Sequence, residues 1–145
     1  MPKRYGPAPN QPAIALSEYG QNRPYCFNRK ETKDHGEGGA TIGAPLAGRV
    51  LILDDVISAG TSVRESVDII RTAGAVPSAV VICLDRKERG QGTESAAEEV
   101  QTRFGIPVVS ISDLDDLIAF LRNQPGMAQQ LRDVQRYRGQ YGVSR

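Results

Sequence analysis

The segment Val50-Leu51-Ile52-Leu53-Asp54-Asp55-Val56-Ile57-Ser58-Ala59-Gly60-Thr61-Ser62 reads as a strand, a pair of carboxylates at its end, a turn of small residues and the first turn of a helix. Val50 to Leu53 form a continuous apolar run, the pattern of a strand covered on both faces in a parallel sheet. Ser58, Ala59 and Gly60 are small enough to let a ligand approach the backbone, and Gly60 is free to take a positive φ. Thr61 or Ser62 is expected to cap the helix that follows, where free amides and the helix dipole suit a phosphate dianion. Asp54 and Asp55 fall at the carboxyl end of the strand, where open α/β sheets bind ligands. Adjacent carboxylates there can accept hydrogen bonds from a ribose diol, with a hydrated Mg2+ as a helper. A lone Asp-Asp would instead favour a buried strand ending in a polar turn and a helix cap. The whole run, with Ser-Ala-Gly-Thr-Ser behind the acids, favours a sugar-phosphate site.

Working outward, a helix is predicted over 61–73, with Val63, Val67, Ile70 and Ala73 on one face and Gly74 as its stop. A buried strand over 78–84, a polar loop over 85–92 and a helix over 93–104 follow, the helix capped by Thr93 and ended by Gly105. Next come a strand over 106–111 and a helix capped by Ser112 or Asp113, reaching about Arg122 with Leu114, Leu117, Ile118 and Leu121 on its buried face. Pro125 opens a last, polar helix to about Tyr137. In the other direction the main strand begins at Arg49. A charged loop with Gly36, Gly38 and Gly39 covers 29–40, a strand 24–28, a short helix 12–19 and an irregular start 1–10. Strands alternating with helices define an α/β chain with a mostly parallel sheet flanked by helices and right-handed connections. The chain has no Gly-x-x-x-x-Gly-Lys, and the glycines around Gly36 neither follow a strand nor open a helix, so neither nucleotide-binding fingerprint is supported.

With 145 residues, 39% of them hydrophobic and 24% charged, the chain is long enough for one domain with a real core. A net charge of +1 argues against a general nucleic-acid binder. The charge is uneven, because Arg23, Arg29, Lys30 and Lys33 fall within a short span. Cys26 and Cys83 lie in predicted strands and read as small core residues rather than a disulfide or metal ligands. His35 is the sole histidine, so no His/Cys metal cluster can be assembled. No apolar run is long enough to cross a membrane and no signal-peptide core is seen, so a cytoplasmic protein is expected.

The order apolar strand, Asp54-Asp55, then Ser58 to Ser62 resembles the phosphoribosyl-pyrophosphate (PRPP) motif of the type I phosphoribosyltransferases. Tyr25-Cys26-Phe27-Asn28-Arg29-Lys30-Glu31-Thr32-Lys33-Asp34-His35-Gly36-Glu37-Gly38-Gly39 is similar to the catalytic loop of the orotate phosphoribosyltransferase family. Leu84-Asp85-Arg86-Lys87-Glu88-Arg89-Gly90 resembles the loop of that family whose first arginine contacts orotate. Residues 111–120 and 127–137 are similar to its C-terminal helices. The resemblance covers most of the chain from about Tyr25 onward. It implies a type I phosphoribosyltransferase-like fold in which 24–145 form the core, with the catalytic loop at 29–40 and the PRPP motif at 50–62.

The same resemblance implies transfer of the 5-phosphoribosyl group of PRPP to orotate, giving orotidine 5′-phosphate and pyrophosphate in UMP biosynthesis. It assigns Lys33 and His35 to catalysis together with Asp54 and Asp55, and places Arg29 and Lys30 near the pyrophosphate. Asp54, Asp55, Val56, Ile57, Ser58, Ala59, Gly60, Thr61 and Ser62 would hold the ribose and 5′-phosphate, and Arg86 the orotate carboxylate, for which a guanidinium fork is suited. Mg2+ would be held by PRPP oxygens and water rather than by direct protein ligands. The catalytic loop would reach across a homodimer interface. Without the resemblance, Arg29 to Lys33 would read as a solvated loop, His35 as a surface histidine and Arg86 as part of a surface turn.

The first 23 residues depart from the family pattern, which has a longer N-terminal portion and a Gly-Pro-Ala-Tyr-Lys-Gly-like turn. Tyr5-Gly6-Pro7-Ala8 is followed here by Pro9-Asn10-Gln11, with no counterpart of the lysine. The N-terminal portion is therefore expected to be incomplete, and the alternative reading is a catalytically impaired PRPP-binding or dimerising remnant. The Lys33/His35 loop favours the enzyme, because a pure binder has no need of a cationic lid. It also argues against the runner-up enzyme, a purine-base phosphoribosyltransferase.

Overall fold

The computed structural model describes residues 16–28, 41–58 and 60–143. The expectations for 1–15, for Ala59 and for the loop at 29–40 lie outside the described residues. A helical turn over 16–19 ends at Gly20, whose amide donates to the Leu16 carbonyl at 3.0 Å. The elements that follow are β1 (Cys26–Asn28), β2 (Thr41–Gly43), β3 (Arg49–Asp54), α1 (Thr61–Thr72), β4 (Val76–Asp85), α2 (Ala96–Phe104), β5 (Val108–Asp113), α3 (Leu114–Arg122) and α4 (Ala128–Tyr141).

Strands β3, β4 and β5 lie side by side in sequence order and pair in parallel, while β1 and β2 form a separate antiparallel ladder. The register between β3 and β4 shifts at Val50/Leu51, where the Ser78 hydroxyl donates to the Val50 carbonyl at 2.9 Å. Parallel strands in sequential order, each connected by a helix, let α1 and α2 share one core. The core accordingly joins Ile52, Val80 and Ile82 of the sheet to Val63, Val67 and Ile70 of α1 and Ala96, Ala97 and Val100 of α2.

The opposite face is open, which corrects the expectation of a strand covered on both sides. Leu51 is 50% exposed, Leu53 39%, Val109 54% and Ile111 75%. Cys83 is exposed as well, not a core residue, whereas burial pushes the half-buried Cys26 thiol pKa up. Ala73 is also exposed, because it is the C-cap of α1 and no longer follows the helical period.

Boundaries moved where capping chemistry decided them. Ser95, not Thr93, caps α2: its hydroxyl accepts from the Glu98 amide at 3.2 Å while the Glu98 carboxylate accepts from the Ser95 amide at 2.9 Å. Asp113 caps α3 in the same reciprocal way with Asp116. The last helix starts at Ala128, after a turn through Gly126 at φ 82°, and runs on to Tyr141.

The two faces of β3 make opposite predictions. Ile52→Ala removes packed volume and should cost about 3 kcal/mol of unfolding free energy, whereas Leu53→Ala should cost less than about 1 kcal/mol. Urea denaturation of the two variants checks this, and equal losses would contradict the one-sided core.

Candidate functional site

The site grows from the point where β3 ends. Asp54 Oδ1 accepts from the Asp55 amide at 2.9 Å, and Asp55 Oδ1 from the Val56 amide at 2.8 Å, so both carboxylates are oriented by the backbone that follows them. The Asp55 carbonyl accepts from the amides of Cys83 and Leu84 at 3.0 and 3.1 Å, pinning the strand end to β4. Ile57 is buried under the turn, Val56 is half-buried, and Asp55 and Ser58 are exposed.

Helix α1 opens from Gly60, at φ 65° and ψ 12°, with no side-chain cap. This corrects the expectation that Thr61 or Ser62 caps it. Ser62 Oγ instead donates to Asp54 Oδ2 at 2.7 Å, and Thr61 Oγ1 accepts from Arg64 Nη2 at 3.2 Å. The N-cap of α1 gives its first amides no side-chain hydrogen bond, in contrast to the capping boxes of α2 and α3. An uncapped helix start favours an anion. Gly60 is required there twice over, by its left-handed φ and because a Cβ would lie 2.9 Å from Val100 Cγ2.

Arg86 follows β4 and meets the turn. Its Nη2 donates to Ser58 Oγ at 2.6 Å and to Glu88 Oε2 at 3.1 Å. Two short hydrogen bonds thus tie Ser62 to Asp54 and Arg86 to Ser58. Lys33, His35, Arg29 and Lys30 lie outside the described residues. Their flanks are described: β1 and β2 pair Asn28 with Thr41, and Asn28 Nδ2 donates to Ser66 Oγ of α1 at 3.2 Å.

Sequence reasoning missed the supports of Arg86. Glu88 pairs with it directly. Lys87 Nζ pairs with Asp113 and Asp115 at 2.7 and 2.6 Å, and Arg138 Nη1 pairs with Asp115 at 2.6 Å. In sequence these are ordinary surface charges far apart along the chain, and only the fold brings them together. The hydrogen bonds to Asp113 and then Asp115 hold the Lys87 pKa above the usual lysine range, and the hydrogen bond from Lys87 is the leading cause of the lowered pKa of both aspartates. A depression of about 510 Å³ beside this network is lined by Lys87, Asp115, Arg122 and Arg138 among others, and by none of the described residues of 54–62.

Among the described residues no cluster of three or more His, Cys, Asp or Glu side chains could hold a metal ion. The carboxylates of Asp54 and Asp55 each have an oxygen engaged by a backbone amide. This donor set fits a hydrated divalent ion resting mostly on ligand oxygens, not a protein cage. Among the described residues no helix is long and apolar enough to cross a membrane.

Comparison with known proteins agrees with this geometry. No family profile matches the chain. It is 63% identical over 131 residues to an orotate phosphoribosyltransferase of Laribacter hongkongensis, covering 90% of this chain and 62% of that protein. It is 60% identical over 132 residues to that of Thioalkalivibrio sulfidiphilus, with the same two coverages. A crystal structure of the Francisella tularensis orotate phosphoribosyltransferase superposes with a TM-score of 0.73 at 27% identity, over 91% of this chain and 62% of that one. The UMP synthase of Leishmania donovani superposes with a TM-score of 0.68 at 25% identity, over 96% and 30%. Parallel sheet, flanking helices and strand-end turn define a protein of the type I phosphoribosyltransferase fold. Within that class, nine-tenths of the chain is similar, at about 60% identity, to orotate phosphoribosyltransferases. The chain spans about three-fifths of the length of these curated relatives.

Gly60→Ala should lower stability by about 1–3 kcal/mol through left-handed strain and the Val100 contact, read as a lower thermal midpoint. The Lys87 network gives a signed pH dependence. The lowered pKa of Asp113 and Asp115 contributes stability that is present above the ordinary aspartate pKa and is lost as the pH falls through it and below. The raised pKa of Lys87 contributes stability present below the ordinary lysine pKa and lost as the pH rises past it. Lys87→Met should therefore flatten the loss of unfolding free energy between about pH 5 and about pH 2, measured by urea titration. A variant with the wild-type acid slope would contradict the network.

Proposed function

We propose that this chain carries an orotate phosphoribosyltransferase site, transferring the 5-phosphoribosyl group from PRPP to orotate with release of pyrophosphate. The observation that supports this most is the hydrogen bond from Arg86 to Ser58, 2.6 Å, which joins the base-side loop to the phosphate-side turn. The names of relatives around 60% identical point to the same reaction.

In this reading the amides and hydroxyls of residues 58–62 take the 5′-phosphate, and Asp54 and Asp55 accept from the ribose hydroxyls. Arg86 takes the carboxylate of orotate. The C1′–O bond to pyrophosphate breaks with its electron pair leaving on pyrophosphate, and a ring nitrogen of orotate, having lost its proton, bonds C1′. Lys33 and His35, with Arg29 and Lys30, stabilise the charge that develops on the leaving group, more strongly once water is excluded. Mg2+, when bound to PRPP, supplies charge neutralisation on the pyrophosphate. A second copy of the chain shares the 29–40 loop across a homodimer interface. A cytoplasmic setting goes with phosphorylated substrates and a chain whose described helices do not span a membrane.

Orotate consumption, followed by absorbance with PRPP and Mg2+, tests the reading. The folded chain should consume orotate. Asp54→Ala/Asp55→Ala should lose about 100-fold or more, and Lys33→Ala should lose a comparable factor in kcat while keeping its PRPP affinity. A folded wild-type chain that consumes none, or a double variant as active as wild type, would refute it.

A further inference from the structure

Lys87 has φ +50°, and among the described residues it is the non-glycine residue with a left-handed backbone. Such a conformation is unfavourable for a lysine and persists only where its surroundings over-determine it. The surroundings here are specific. The Lys87 amide donates to Asp85 Oδ1 at 2.8 Å, and the Lys87 carbonyl accepts from the Val143 amide at 3.2 Å. The Arg89 amide donates to the Tyr141 carbonyl at 2.8 Å, and Glu88 bridges Gly142. The Lys87 ammonium sits on Asp113, the cap of α3, and on Asp115, which Arg138 of α4 holds from its other oxygen. The segment after β4 is thus fastened to the start of α3 and the end of α4.

The neighbouring Arg86 carries the complementary observation. Its Nε is buried and has no hydrogen-bond partner among the described residues. A buried donor left unpaired is unfavourable, so the pose of this guanidinium is not the one its own hydrogen bonding would select. Glu88 and Ser58 hold one end of it, and the backbone conformation at Lys87 sets where it starts.

We propose that Lys87 is a positioning residue: by clamping the 85–89 segment onto α3 and α4 it fixes the aim of Arg86, and so couples the C-terminal helix to recognition of the anionic base. The proposal rests on the reading of Arg86 as the orotate contact. Its conformational part stands without that reading.

The test has two arms. In the ligand-free full chain, solvent exchange of the Arg86 Nε–H is followed by NMR, with the resonance assigned through Arg86→Lys. Lys87→Met should speed this exchange about tenfold, and Lys87→Arg should stay near wild type. Lys87→Gly, which keeps the backbone conformation accessible but loses the ion pairs, should resemble Lys87→Met. In turnover, Lys87→Met should raise the KM for orotate about tenfold while kcat and the KM for PRPP change less than about twofold, and Lys87→Arg should restore most of the loss. Where Lys87→Met does not fold, Asp115→Asn is carried through both arms with the same expectations. Unchanged Nε–H exchange in a folded variant overturns the proposal, as does an equal loss in both KM values and kcat. A wild-type chain that consumes no orotate refutes the function reading instead, and the exchange arm then decides the positioning role.

Discussion

The hydrogen bond from Ser62 Oγ to Asp54 Oδ2, 2.7 Å, closes the turn between the end of β3 and the start of α1. Much of the site depends on it. It ties the second residue of α1 back to the strand end, while the N-cap, Gly60, has no side chain to offer the first amides of the helix. It also holds one oxygen of Asp54 on the helix while the other takes the Asp55 amide, which fixes the carboxylate plane. The left-handed Gly60 and the buried Ile57 make this closure possible, one by letting the chain double back and the other by anchoring it to the core.

Around that turn the protein places rigidity and freedom unevenly. The core lies on one side of the sheet, under α1 and α2, and the turn stands at its edge. Arg86 arrives from β4, supported by charges from α3 and α4 that share no part of that core. Each of those ion pairs is partly exposed, and individually such pairs contribute little to stability. Their joint effect is directional: several weak contacts converge on one short segment and determine its backbone.

How far the chain was readable varied with the physics. The limits of β3 and the start of α1 were legible, because an apolar run ending in two aspartates and followed by Ser-Ala-Gly leaves few alternatives. Asp113 was legible as a cap, while Ser95 was overlooked beside Thr93 although Ser95-x-x-Glu98 carries the reciprocal capping pattern. The open face was not legible, since Leu51 and Leu53 have the same sequence character whether or not a layer covers them. Arg86 and the 29–40 segment drew their meaning from family resemblance, as composition alone gives surface turns. Lys87 was hidden because its partners come together only after β4, α3 and α4 are in place.

Calorimetric titration of the folded chain with PRPP, with and without Mg2+, tests the central claim most directly, because it asks the strand-end turn to bind its ligand without asking for chemistry. The account predicts saturable, Mg2+-dependent binding that disappears in Asp54→Ala/Asp55→Ala. A folded wild-type chain that binds no PRPP, or a double variant that binds it as well as wild type, would contradict it.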